Sequence, residues 1–126
     1  MDFLLKGTIL NAKYKILNYV AKSDFSNIYI CEDRQGEKVI IKECYPSEIV
    51  MRNDKEVFTE KYKKDFENLK GCFWKEKCIL EKFLKKSKRR KQRFVDDVVK
   101  LVDFFSENGT NYIVTEYFRA VTLKKY

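Results

Sequence analysis

The chain has 126 residues, of which 44% are hydrophobic and 15% aromatic, enough to build the core of a single domain. Charged residues make up 37%, and the net charge of +8 is unevenly placed because seven cations lie within residues 85–93. The chain contains no histidine, which excludes Ser-His and Cys-His nucleophiles and, together with the absence of a CxxC pair, argues against a zinc site. We predict one cytoplasmic domain over residues 1–126, with reduced, mostly buried cysteines and no metal.

The first half of the chain predicts three antiparallel strands. An apolar triplet at residues 3–5 precedes them and is too short for a signal peptide or a membrane span, so no span is expected. Residues 14–20 and 25–31 are rich in β-branched and aromatic side chains, which predicts a hairpin. A polar turn at residues 33–36 then leads into a third strand at residues 39–43.

The middle of the chain predicts one long helix. Pro46 ends the third strand, residues 47–52 predict a short polar or helical segment, and the helix covers about residues 59–84. Large side chains recur there at alternating spacings of four and three, which places them on one helical stripe: Tyr62, Phe66, Leu69, Phe73, Glu76, Leu80 and Phe83. An alternative is two shorter helices broken at Gly71.

Glu76 is the one charged member of this stripe. A carboxylate at an inward position is costly unless a cation meets it, so the pattern predicts a buried or half-buried ion pair. Side chains alternate across a strand, which puts Ile40 and Lys42 on one face and Val39, Ile41 and Glu43 on the other. Lys42 is therefore the natural partner of Glu76. In the alternatives, Lys42 keeps its ammonium in water at the strand end and Glu76 lies at a rim.

The last third of the chain predicts a basic connection and a second hairpin. Residues 85–93 contain no apolar side chain and predict a solvated loop or a frayed helix end. Residues 98–105 and 112–116 predict two strands, joined by an Asn-Gly turn at residues 107–110. The predicted fold is therefore α+β, with a five-stranded antiparallel sheet and one main helix.

In this order, the elements resemble the N-terminal lobe of a protein kinase, in the style of bacterial serine/threonine kinases. The resemblance covers nearly the whole chain, and its most specific part is the spacing from the Asn-Gly turn to the segment after the last strand. The matching segments are residues 5–16 for the start of the lobe, 25–29 for the second half of the glycine-rich loop, 39–43 for the Val-Ala-Ile-Lys strand, 73–76 for the helix motif, and 98–105 with 108–117 for strands four and five and the hinge.

The resemblance implies a nucleotide-binding role for seven residues, namely Ile28, Ile40, Lys42, Glu76, Thr115, Glu116 and Phe118. Lys42 would touch the α- and β-phosphates of ATP, and Glu76 would hold Lys42. Thr115 would be the gatekeeper, while Glu116 and Phe118 would offer hinge backbone groups to adenine.

The chain departs from the kinase pattern at the nucleotide site. Where the family has glycines that let phosphates approach backbone amides, this sequence has Ala21, Ser23 and Ser26. Ile40 replaces a small alanine and narrows the adenine slot. We therefore expect weak ATP binding or none, and no firm cofactor. Because the sequence ends at Tyr126, just past the hinge, we expect no catalytic loop, no magnesium-binding aspartate and no catalytic residue on this chain alone.

These observations favour a non-catalytic, pseudokinase-like binding or regulatory module that acts through a protein partner. One alternative is the ATP-binding N-lobe fragment of a serine/threonine kinase whose catalytic lobe lies on another chain or was removed. A second is binding of a polyanion or nucleic acid through residues 85–93. The tail carries four large apolar or aromatic side chains, so we expect a partner, with a homodimer slightly favoured: Phe118, Val121, Leu123 and Tyr126.

Overall fold

The computed structural model describes residues 3–23, 25–90 and 100–117. Within these residues six strands form one antiparallel sheet, two short strands form a separate hairpin, and one helix packs on the sheet. In chain order the elements are β1 (Ile9–Leu10), β2 (Tyr14–Ser23), β3 (Ser26–Glu32), β4 (Lys38–Cys44), β5 (Met51–Asn53), β6 (Glu56–Phe58), α1 (Lys63–Arg90), β7 (Leu101–Glu107) and β8 (Thr110–Glu116).

The sheet curls until its two edge regions meet. Its strand order is β1-β2-β3-β4-β8-β7, so β4 is flanked by β3 and β8. At the open edge, the backbone N–H of Asn11 donates to the Glu107 carboxylate at 3.1 Å, and the Tyr14 hydroxyl donates to Asp103 at 2.9 Å. Lys13 also approaches Asp103, with 3.4 Å between Nζ and Oδ2. The result is a nearly closed, barrel-like sheet.

Two buried clusters lie on opposite faces of the sheet. The barrel interior holds Tyr14, Ile16, Tyr29, Ile41 and Val114 among others. The other cluster lies between the sheet and α1 and includes residues of β4, the hairpin and the helix: Cys44, Tyr45, Val50, Val57, Phe66, Phe73 and Ile113. Alternation along β4 supplies both clusters, since its odd-numbered residues face the interior and its even-numbered residues face the helix side.

The predicted antiparallel sheet and single main helix are confirmed, but the sheet has six strands where five were predicted. The additional strand, β1, is only two residues long and pairs Ile9 with Lys15 and Leu10 with Tyr14. Two residues are too few to show an alternating pattern, so sequence periodicity does not reveal such a strand.

The prediction of a polar or helical segment at residues 47–52 is wrong for its second half. A single turn follows Pro46, whose carbonyl accepts from the N–H groups of Ile49 and Val50 at 2.9 and 3.2 Å. The chain then enters the β5–β6 hairpin, in which Asn53 pairs with Glu56 and Asp54 has a positive φ of 58°. Aspartate tolerates this conformation better than most residues, and the three-residue strands are too short for a periodic pattern.

The structure confirms the predicted Asn-Gly turn, which joins β7 and β8, and the β5–β6 hairpin packs against this turn. The N–H of Val57 donates to the carbonyl of Asn108 at 2.7 Å. Asn108 and Gly109 both have positive φ, at 54° and 76°, as a two-residue turn of this kind requires. A Cβ on Gly109 would lie 2.5 Å from the carbonyl oxygen of Val57, so glycine is needed there for space as well as for conformation.

The helix is continuous and longer at its C-terminal end than predicted. It begins at Lys63 and ends at Arg90, and it passes through Gly71 without a break, which excludes the alternative of two shorter helices. Residues 85–90 of the basic run therefore belong to α1, while residues 91–93 lie outside the described residues. The strand predicted from residue 98 begins at Leu101, and residues 98 and 99 also lie outside.

All four cysteines are free thiols, but only two of them, Cys31 and Cys44, are buried. Cys72 is exposed and Cys78 is half-buried, so burial of most of the thiols was too broad a prediction. In the part of the chain that the structure describes, no cluster of three or more metal-ligating side chains is present. Helix α1 is not apolar enough over its length to cross a membrane, and it is the one helix of that part.

Candidate functional site: a cleft between the sheet and the helix

Lys42 of β4 and Glu76 of α1 form the ion pair that the sequence predicts. Nζ of Lys42 lies 2.7 Å from Oε2 of Glu76. The side chains are 29% and 42% exposed, so water reaches both groups. The ammonium also lies 5.4 Å from the centroid of the Phe73 ring, a cation–π contact with the residue one turn before Glu76. The pair is therefore held at the edge of the helix–sheet core and is not sealed within it.

The apolar stripe of α1 explains this position. Phe66 and Phe73 are buried against the sheet, and Leu69 and Leu80 pack beside them. Glu76 follows Phe73 by three residues and lies at the side of the buried stripe, where it can reach the helix-facing side of β4. Tyr62, which was also predicted in the stripe, precedes the helix and is 45% exposed.

The ion pair lies in a cleft of about 250 Å³ between the tip of the β2–β3 hairpin and α1. Ser23 and Ser26, which were predicted to replace glycines of a phosphate-binding loop, line this cleft together with Lys42 and Glu76. The full lining is Ser23, Phe25, Ser26, Lys42, Leu69, Cys72, Phe73 and Glu76. The structure therefore brings together four of the residues that the sequence singles out.

The other predicted residues that the structure describes lie on the same sheet but do not line this cleft. Ile28 is the cross-strand partner of Lys42 and of Ala21. Ile40, which is 7% exposed, pairs with Thr115. These residues share the face of Lys42, because directly paired residues point the same way.

Of the two predicted hinge residues, the structure describes Glu116, which does not share that face. Glu116 pairs with Val39, whose side chain belongs to the barrel interior, so its side chain is on the opposite face of the sheet from Lys42. The N–H of Glu116 donates to the carbonyl of Lys100 at 3.0 Å. Phe118 lies outside the described residues.

The tip of the β2–β3 hairpin is hydrogen-bonded to the segment after β4. Ser23 and Ser26 are paired across the hairpin and their hydroxyls hydrogen-bond to each other. The N–H of Tyr45 donates to the carbonyl of Phe25 at 2.8 Å, and Nζ of Lys22 donates to the hydroxyl of Ser47. Side chains and hydrogen bonds therefore occupy the hairpin tip. Glycines at the same positions would leave the backbone N–H groups accessible to a phosphate.

A second charged pair, which the sequence analysis did not identify, lies on the opposite face of β4. Glu43 is fully buried and Arg52 is 3% exposed, with 2.6 Å between Nη2 of Arg52 and Oε1 of Glu43. Three further side chains donate to the same carboxylate: Asn27 at 3.1 Å, Tyr29 at 2.8 Å and Tyr112 at 2.7 Å. The parity of β4 already placed Glu43 beside Val39 and Ile41, and a carboxylate among such residues was the pattern that could have revealed it.

The ionisation of this cluster follows from burial and from the carboxylate. Burial, together with the nearby negative charge of Glu43, raises the pKa of Tyr29 and of Tyr112 far above the ordinary tyrosine value. Burial by itself would lower the pKa of Arg52, but the hydrogen bond and charge of Glu43 outweigh it and raise that pKa. The cluster therefore keeps both tyrosines protonated as donors and Arg52 charged.

Comparison with known proteins bears on the fold. A scan against models of protein families finds no match, and a search of curated proteins finds none. Among solved structures, the chain is similar to "PpkA-294 apo form", a bacterial serine/threonine kinase structure, with a TM-score of 0.65 and 18% sequence identity. The match covers 99% of this chain and 44% of that one, so the chain spans less than half of its length. The chain has a kinase-like N-lobe fold.

At 18% identity the likeness is one of fold, and the roles of individual residues in the kinase-like N-lobe remain predictions. The ion pair between Lys42 and Glu76 is an observed contact. Binding of ATP by Lys42 and Glu76, or by Ile28, Ile40 and Thr115, remains a prediction.

Proposed function

We propose that this chain is a kinase-like binding or regulatory module that acts through a protein partner and does not use ATP. The observation that carries the proposal is the hairpin tip over the cleft. Ser23, Phe25 and Ser26 all line the cleft there, and the two serine hydroxyls bond to each other. A phosphate that entered along the hairpin would meet these side chains before it reached the backbone N–H groups.

Ile40, which shares the face of β4 that carries Lys42, also supports this proposal. Ile40 is buried at 7% exposure, at the position where the kinase resemblance has a small residue. Forcing a ligand against a packed side chain of this size typically costs about 1–3 kcal/mol.

Titration calorimetry with ATP and magnesium tests the proposal. We expect wild-type binding weaker than about 1 mM, which corresponds to about −4 kcal/mol. A Ser23→Gly/Ser26→Gly double variant removes both hydroxyls and is expected to bind ATP measurably better. Lys42→Met is the matched control, since it leaves the hairpin intact. Micromolar binding by the wild type that Lys42→Met abolishes would contradict the proposal.

A second candidate function is an ATP-binding kinase lobe that works with catalytic aspartates held elsewhere. The observation in its favour is the 2.7 Å distance between Lys42 and Glu76, because this pair must form for a kinase to position the nucleotide phosphates. The same calorimetry separates the two candidates: wild-type binding at micromolar ATP, lost in both Lys42→Met and Glu76→Gln, would favour the kinase lobe.

A protein partner is part of the first proposal. Two large apolar residues are exposed next to the cleft: Phe25, at 52%, lines it, and Ile79, at 54%, follows Glu76 by three residues on α1. A contiguous exposed apolar patch often marks a protein–protein contact. We propose a second copy of the chain as the partner of the isolated protein. Light scattering coupled to size exclusion at several concentrations tests this, and a monomeric mass throughout would refute it.

A further inference from the structure

Arg52 joins the β5–β6 hairpin to the interior of the sheet. Its guanidinium lies 4.8 Å from the centroid of the Tyr45 ring and donates to Glu43 at 2.6 Å. The side chain is 3% exposed, although it belongs to a three-residue strand at the surface. This reach fixes the hairpin to β4 at the residue that follows Lys42.

The same hairpin shares a buried cluster with the helix. Val57 of β6 and Val50, just before β5, belong to one buried cluster with Phe66 and Phe73 of α1. Phe73 lies one turn before Glu76 and under the ammonium of Lys42. Val57 of the hairpin therefore belongs to the buried cluster that also contains Cys44 of β4 and Phe73 of α1.

Glu43 links β4 to both of its neighbouring strands. Its carboxylate accepts from Asn27 and Tyr29 of β3 and from Tyr112 of β8, the two strands that flank β4. Because Lys42 and Glu43 are consecutive, a displacement of Glu43 would move the Cα of Lys42 with it. Together with the bond from Arg52, these hydrogen bonds to Glu43 therefore fix the position of the Lys42 Cα.

We propose that Glu43 and Arg52 are positioning residues, whose buried pair sets helix α1 relative to strand β4 and thereby keeps Glu76 within hydrogen-bond distance of Lys42. The pair acts from the far side of the sheet and touches neither the cleft nor any molecule in it. The inference goes beyond the proposed function, because it concerns the geometry of the cleft whether or not ATP binds. Its failure would leave the calorimetric test unaffected.

Carbon-13 NMR of the purified chain tests the inference. The carboxyl carbon shift of Glu76 is measured at neutral pH in two proteins that differ only by Lys42→Met, and the difference reports the contact between the two side chains. The comparison is then repeated in an Arg52→Met background and in a Glu43→Gln/Arg52→Met background. The double change leaves no unpaired charge in the interior, so it is the variant expected to fold if Arg52→Met does not.

We expect the difference at Glu76 to shrink by at least about half in both backgrounds, because an electrostatic effect falls as the charges separate. A control background, Leu10→Ala, removes a fully buried side chain of the interior cluster, which lies away from the helix. It destabilises the chain but should leave the difference at its wild-type size. This separates positioning from a general loss of stability.

Fluorescence of Trp74, the single tryptophan, gives a second measurement on the same proteins. Its ring meets Phe104 of β7 edge-on, with centroids 5.5 Å apart, so a shift of α1 on the sheet changes its surroundings. We expect a changed emission maximum in the Glu43→Gln/Arg52→Met protein and none in Leu10→Ala. A wild-type response of Glu76 to Lys42→Met in the folded double variant would overturn the inference.

Discussion

Strand β4 carries two charged residues in succession, and each meets an opposite charge on a different face of the sheet. The two ion pairs have nearly equal lengths, 2.7 Å for Lys42–Glu76 and 2.6 Å for Glu43–Arg52. Their surroundings differ: the first pair is 29% and 42% exposed, and the second is 3% and 0% exposed at Arg52 and Glu43. Contact distance alone does not distinguish the two pairs, whereas access of water does.

The difference in exposure decides what each pair can do. Breaking a buried pair leaves a charge without water or partner, so the interior pair binds its elements together strongly. An ion pair that water reaches contributes little to stability, because each ion is nearly as well solvated alone. The cleft pair can therefore be changed with little effect on the fold, which leaves it available for a ligand or partner.

The largest expected effect is the loss of the interior pair. Arg52→Met should lower the free energy of unfolding by about 3–5 kcal/mol, because it leaves the carboxylate of Glu43 buried without its cation. Chemical denaturation measures this value. Glu43→Gln/Arg52→Met should recover part of the loss, since neither charge remains. Equal stability of Arg52→Met and the wild type would mean that water enters the barrel interior.

The next effect tests whether the close approach between the β5–β6 hairpin and the β7–β8 turn contributes to stability. Gly109→Ala should cost about 1–3 kcal/mol, because its Cβ meets the Val57 carbonyl and its φ is positive. Gly36→Ala is the matched control. Gly36 also has a positive φ, 82°, but no atom lies within 4 Å of its Cβ position. If both variants lose the same stability by thermal unfolding, the close approach at Gly109 has no energetic weight.

The exposed pair was predictable from the sequence because each partner belongs to a local pattern. Strand parity orients Lys42, and the spacing of apolar residues orients Glu76 within a single helix. The main strands, the Asn-Gly turn and the helix followed from the same local rules. The resemblance to a kinase N-lobe rested on the order of these elements, and the structural match supports it.

The buried pair could not be assembled from the sequence in the same way. The donors to Glu43 are Asn27 and Tyr29 of β3, Arg52 of β5 and Tyr112 of β8, and no local pattern in the sequence links these three strands. The position of Arg52 in particular depends on the β5–β6 hairpin, whose three-residue strands are too short for an alternating sequence pattern to predict. Parity shows that Glu43 points inward, but only the tertiary fold shows which residues meet it.

Alkaline pH should also weaken the barrel interior and the helix-facing core more than the cleft. Burial raises the pKa of the Cys44 thiol from its ordinary 9.0 to about 12, as it does for Cys31. A group whose pKa is higher in the folded chain stabilises it fully below the ordinary value, and this stabilisation is lost as pH rises from 9 toward 12. Each thiol should cost at most about 1.4 kcal/mol per pH unit in that window.

Urea unfolding of the wild type and Cys44→Ala at two alkaline pH values measures this slope. The variant should lose less stability per pH unit than the wild type, because one of the two raised thiols is gone. Cys72→Ala is the matched control, since it makes the same change of side chain at an exposed position. A wild-type slope that Cys44→Ala does not alter would show that the thiol already reaches water in the folded chain.

The smallest expected effect is at the cleft pair, and it completes the contrast with the interior. Lys42→Met and Glu76→Gln should each change the free energy of unfolding by no more than about 1 kcal/mol, since both groups are partly hydrated. Denaturation of both single variants and the double variant isolates the coupling between the two side chains. A coupling as large as the effect of Arg52→Met would mean that the cleft closes around this pair in solution, and the two faces of β4 would then be energetically alike.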